Sequence, residues 1–177
     1  MFAYIFLVLA VLSRILPHAG WFNFTVVGGA LLFFGARRPM RESILPVVAL
    51  MALDSYLTVV QYGYGFHLAE YLPTWAWYFG MIWLGSALLG KPTFLRAVAA
   101  IVAGPTSFFL VSNFVVWATG TMYAKSIAGL MSCYAAGVPF YRNDVASTAL
   151  TVAIAFGAPA LAGMMSLKAA TAKATRG

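Results

Sequence analysis

The chain has 177 residues, of which 63% are hydrophobic and only 8% charged, and its mean hydropathy is +0.89. A soluble domain carries about 25% charged residues, so this composition excludes an ordinary soluble enzyme and turns most of the surface toward lipid. The net charge of +7 is not a nucleic-acid signature, because the basic residues sit in short clusters between apolar runs, where orientation in a membrane accounts for them.

The expected fold class is all-α: a single transmembrane helical domain over residues 1–177, with about six spans (seven in an alternative count) and a basic tail at 168–177. Phe2 to Leu16 is the first apolar run, broken only by Arg14, which is placed to snorkel toward the interface. Pro17 to Asn23 follows as a connection, with Trp21 and Phe22 suited to the headgroup level. Phe24 to Ala36 carries Gly28, Gly29 and Gly35, which let another helix approach closely. Arg37, Arg38 and Arg41 come next, the densest positive cluster, and mark a cytoplasmic turn.

Ile44 to about Val60 carries Asp54, the only acid well inside a hydrophobic run. A carboxylate at membrane depth points to function by default. With no Lys or Arg in its own segment, Asp54 must pair across helices, face water or hold a proton. Lys125, Arg142 and the tyrosines near Gln61 are its candidate partners. Thr74 to Leu89 opens on an aromatic belt of Trp75, Trp77 and Tyr78. Lys91 and Arg96 place the next connection inside, and Ala97 to Ala118 is a span with Gly104 and Pro105 as a candidate kink.

Two further runs, Ser126 to Tyr141 and Val145 to Met165, raise a question of parity. If every run spans, an inside Arg37–Arg41 turn forces the basic tail outside. If Ser126–Tyr141, rich in Gly and Ala and ending near Pro139, is re-entrant or tilted, six spans remain and both termini lie inside.

The stretch richest in chemistry is Ser107 to Asp144. Asn113 and Trp117 stand four apart and share a helix face. An amide in lipid needs a partner, so Asn113 either lines a cavity or bonds a neighbouring helix. The predicted site is an outward-facing pocket lined by Asn113, Trp117 and Tyr123, with Asn23 on the opposite wall and Asp54 and Tyr134 contributing. No catalytic residue, resident metal or cofactor is expected. His18 and His67 lie far apart in loops, and the sequence has no P-loop, no dinucleotide glycine fingerprint and no GxSxG turn.

The order NFTVVGGALLFFGAR, a third helix ending in Asp54, and SFFLVSNFVVWATGTMYAKSIAGLMSCYAAGVPFYRND resembles a group of small bacterial membrane proteins. That group in turn resembles the substrate-binding S components of energy-coupling factor (ECF) transporters. The resemblance implies a six-helix bundle in the bacterial inner membrane that binds a vitamin or similar micronutrient from outside. It also implies a transmembrane coupling protein with ATPases as partners. S components dock through an AxxxA pattern on the first helix; here Leu7 stands four residues after Ala3, and Arg14 four after Ala10. Solitary cobalamin-type S components use a cysteine near cobalt, but Cys133 beside Tyr134 matches no such motif and reads as a packed thiol. Two other readings stay open: a structural or accessory subunit of a larger membrane complex, and an intramembrane enzyme, for which Asp54 lacks a catalytic companion.

Overall fold

The computed structural model describes the backbone of residues 2–16 and 23–174, and their side chains apart from 160–162 and 166–174. The expectations for His18, Trp21, Phe22 and the side chains of the basic tail lie outside the described residues. Six α-helices follow one another: α1 (Phe2–Ile15), α2 (Val27–Arg37), α3 (Ile44–Tyr56), α4 (Leu68–Leu89), α5 (Phe94–Thr119) and α6 (Ile127–Ala174). A short 3₁₀ turn, Met40–Glu42, leads into α3, whose C-terminus widens into a π-helical turn over Leu57–Gln61.

Three segments are long and apolar enough to cross a membrane: Met40–Gln61, Phe94–Thr119 and Ile127–Met165. The helices α1 and α2 are apolar but shorter, with 14 and 11 residues. At 22 residues α4 has the length, but Trp75, Trp77, Trp83 and its tyrosines hold its hydropathy lower. It also begins before the expected Thr74, taking Glu70 and Pro73 into its first turns.

The expected break between Ser126–Tyr141 and Val145–Met165 is absent. These runs form one helix that continues through Pro139 and Pro159. A proline removes one backbone donor from a helix, and in a helix of 48 residues the remaining ladder and the packed neighbours carry the turn. The two runs therefore supply one helix, and seven apolar runs become six helices.

Side-chain pairs fix the relative directions. Tyr4 meets Phe34, and Ser13 accepts from the amide of Val26, so α1 and α2 are antiparallel. Tyr4 donates to Glu42 and Arg14 to Asp54, so α1 and α3 run the same way. Tyr78 bonds Asp54 while Tyr71 bonds Thr58, which reverses α4 against α3. Trp77 bonds the Gly104 carbonyl and Ser107, and Phe109 stacks on Tyr141, continuing the alternation through α5 and α6. The alternation gathers Arg37, Arg38, Arg41, Lys91 and Arg96 at one end of the bundle.

At the centre stands α2, buried without interruption from Val27 to Gly35. Its crossing with α4 is unusually close. A Cβ added at Gly35 would sit 1.8 Å from the Ile82 carbonyl oxygen, and one at Gly85 would sit 2.1 Å from that of Leu32. Only glycine at both positions lets the two backbones meet, which is the packing role expected of small residues in lipid. By contrast, the outer part of the α5–α6 hairpin leaves Leu110, Val111, Phe114, Met131 and Val138 exposed.

Candidate functional site

Two charged side chains that stand alone in their apolar runs meet inside the bundle. The carboxylate of Asp54 on α3, 3% exposed, accepts from Arg14 of α1, from Tyr78 OH at 3.0 Å and from Trp75 Nε1 at 3.0 Å. The same Arg14 Nη1 donates to Tyr78 OH at 3.0 Å. Arg14 thus points inward as the partner of Asp54 rather than snorkelling, and neither Lys125 nor Arg142 pairs with that acid. The reason is energetic: an arginine at the end of a short, centrally packed helix does better bonding a buried carboxylate than reaching past neighbours for water. On the far side, Phe66, Tyr71 and Trp75 stack at centroid separations of 4.9 to 6.1 Å and cover the pair.

Beyond Arg14 lies a cavity of about 120 Å³ lined by Arg14, Asn23, Thr25, Gly28, Thr74, Trp77, Tyr78, Phe108 and Asp144, with Val27 in its floor. A smaller chamber of about 20 Å³ adjoins it and shares Asn23, Phe108 and Asp144, adding Ser112, Asn113, Gly137 and Tyr141. A groove of about 360 Å³ lies between the start of α4 and the end of α5; Thr74 lines both it and the first chamber, and Ser112 both it and the second. Because Glu70, Thr119 and Gly120 line that groove, it opens at the end of the bundle opposite the basic turns.

Asp144 is the least expected member of this wall. It lies on α6, 7% exposed, and Thr148 one turn later is fully buried. Among the described residues the ion pairs are Arg14–Asp54 and Arg38–Glu42, so Asp144 carries none. The Thr148 hydroxyl lacks a partner at hydrogen-bond distance. Both face Gly28 of α2: a Cβ there would come within 2.7 Å of Thr148 Oγ1 and 3.7 Å of Asp144 Oδ1. Gly28 therefore lets α2 pack closely on Thr148 of α6, and it lines the cavity beside Asp144.

The structure brings some of the predicted residues together and separates others. Asn23 lines both chambers from a left-handed backbone position, φ 59°, which asparagine tolerates better than most residues. Asn113 lines the smaller chamber while its amide donates to its own helix at the Phe109 carbonyl, 2.8 Å. Trp117 is turned to the α5–α6 connection, where Nε1 donates to the Ala124 carbonyl at 2.9 Å and the Lys125 ammonium sits over its ring. Tyr123 belongs to that connection and lines neither chamber. Tyr134 packs α6 on α5, donating to the Leu110 carbonyl at 2.9 Å and stacking on Phe109. Cys133 is buried in the same seam, its thiol toward the Asn113 carbonyl at 3.3 Å. Asp54 lies behind Arg14 and does not itself line the cavity.

Arg14, Thr74, Trp77 and Asp144 are wall residues that the sequence reading did not place in the site. Arg14 and Asp54 could have been matched as the lone opposite charges of two apolar runs. Asp144 closes the stretch that the sequence marks as richest in chemistry, but nothing in its local spacing distinguishes it from Arg142 and Asn143 as a wall residue.

Fold and cavity together define an all-helical, membrane-type bundle with a small chamber of mixed polar and apolar lining. Over residues 1–171 the chain matches a family of unknown function (DUF6580), and it belongs to that family. No curated protein and no solved structure matches it, so the likeness to S components rests on the sequence elements alone.

Proposed function

We propose that this chain is a multi-pass protein of the bacterial inner membrane that binds a small polar solute for transport. The observation that carries the reading is the chamber of about 120 Å³ at whose wall Arg14, Asn23, Thr25, Thr74 and Asp144 converge inside an otherwise apolar bundle. Ionisable groups at membrane depth are costly, and they concentrate where a substrate or ion passes. Small-molecule sites combine apolar and aromatic walls with a few polar groups that fix orientation. Here Trp77, Tyr78 and Phe108 supply the aromatic wall. By the positive-inside rule the end bearing Arg37, Arg38, Arg41, Lys91 and Arg96 faces the cytoplasm, so the groove at the other end faces outward. Drug-sized ligands occupy sites of about 300–1,000 Å³. The chamber volume therefore favours a solute at the small end of the micronutrient class, with the adjoining groove as its entry path. An energising partner of the ECF type belongs to the same reading.

A second reading, an accessory subunit of a larger membrane complex, is favoured by the exposed apolar α5–α6 hairpin, which suits a partner helix as well as lipid. Untargeted mass spectrometry on protein purified in native-lipid nanodiscs separates the two. A small polar molecule retained by the wild type and lost from Thr74→Trp, which fills the chamber mouth, supports the solute site. A stoichiometric membrane-protein partner, with no small molecule in either sample, supports the accessory role.

A further inference from the structure

The chamber wall is electrically unbalanced. Arg14 and Asp54 neutralise one another, with Tyr78 and Trp75 completing the acid's hydrogen bonds. What remains at the wall is Asp144, more than nine-tenths buried and with no ion pair among the described residues. Arg142, on the same helix, is exposed and makes no ion pair with it. A carboxylate in this position is strongly disfavoured unless something positive joins it. Resting on the solute-binding reading above, we infer that the solute carries a protonated amine, received by the Asp144 carboxylate against the aromatic wall of Trp77 and Phe108.

Three observations favour an organic ammonium over other cations. The chamber of about 120 Å³ far exceeds a bare metal ion. Among the described residues no group of three His, Cys, Asp or Glu side chains gathers to hold one. Trp77 and Phe108, which line the chamber and pack at a 42° tilt with centroids 4.7 Å apart, supply aromatic surface of the kind that attracts an alkylammonium once its water is shed. Gly28 keeps the approach to Asp144 free of a side chain.

The test uses the full-length protein in nanodiscs and three probes of similar size: ethylammonium, ethanol and acetate. Isothermal titration should show saturable binding of ethylammonium, with ethanol and acetate silent. Asp144→Asn should weaken ethylammonium binding about 30-fold or more, the usual consequence of truncating one side of a buried charge pair. The same variant should keep or raise the melting temperature of the empty protein, because it removes an uncompensated charge; a merely structural carboxylate would lower it. Trp77→Leu provides a second variant and should weaken ethylammonium binding several-fold, about the loss of one cation–π contact. Absence of ethylammonium binding to the wild type, equal binding of ethanol, or unchanged binding to both variants overturns the inference. If a neutral solute co-purifies and Asp144→Asn retains it, the amine assignment falls while the solute-binding reading stands. If ethylammonium binds through Asp144 but shows no counterflow in proteoliposomes, the amine site stands and the transport reading falls.

Discussion

Arg14 and Asp54, 40 residues apart in the chain, form an ion pair inside the bundle, and Tyr78 bonds both partners at 3.0 Å. The pair ties the end of α1 to the end of α3 and, through Tyr78, to α4. Its two charges cancel beside the chamber, which leaves Asp144 as the only unbalanced one among the described residues of the wall.

Breaking this pair from one side should cost more than removing it entirely. Arg14→Met or Asp54→Asn alone leaves a buried group unpaired, and each should destabilise the protein by about 3–5 kcal/mol. The double variant should recover a large part of that loss. Unfolding in mixed micelles, compared across the double-mutant cycle, checks it; additive losses would mean that the two residues do not act as a pair.

The α2–α4 crossing should respond sharply to a single methyl group. Gly35→Ala puts a Cβ 1.8 Å from the Ile82 carbonyl oxygen, so the backbones must separate, at a cost of about 3 kcal/mol or more. Gly80 on the same helix α4 has nothing within 4 Å of its Cβ position. Gly80→Ala should therefore be neutral or stabilising by up to about 1 kcal/mol, through helix propensity. Equal effects at the two positions would contradict the close crossing.

Much of the architecture was legible because composition and charge clustering act over whole segments. The apolar runs marked helices, and Arg37, Arg38, Arg41, Lys91 and Arg96 marked turns that the fold does gather at one end. What failed was local. Pro139 read as a boundary, since proline breaks soluble helices, but here α6 continues through it. Arg14 read as interfacial because periodicity along one helix says nothing about an acid 40 residues away. The site was half legible for a similar reason. Asn113 announced itself as an amide in apolar sequence and Asn23 as a polar residue just before the glycine-rich helix, and they line the chambers. Trp117 shares a helix face with Asn113, yet it stands one turn nearer the connection and is taken up by Ala124 and Lys125. Asp144 belongs to the wall only because α2 crosses α6 at Gly28, a tertiary fact with no trace in local spacing.

Topology follows from the gathered charges. Single cysteines introduced at Arg41 and at Thr121 should react with a membrane-impermeant maleimide from opposite faces, Thr121 from outside intact cells and Arg41 only after the membrane is opened. Native Cys133 is buried and should contribute little background. Labelling of both positions from one face would contradict the alternating arrangement.

The central claim is that a solute-sized chamber lies within the bundle and is reached from the end away from the basic turns. Thr74 is the residue to probe, since it lines both the chamber and the groove that leads to it. Thr74→Cys in intact cells should react with a small, charged, membrane-impermeant thiol reagent, whereas Ile154→Cys on the exposed apolar face of α6 should not. Reaction at Thr74 that slows when the co-purified solute is added is the predicted result. A Thr74→Cys thiol that stays unreactive from outside, while Thr121→Cys labels normally, would contradict the account.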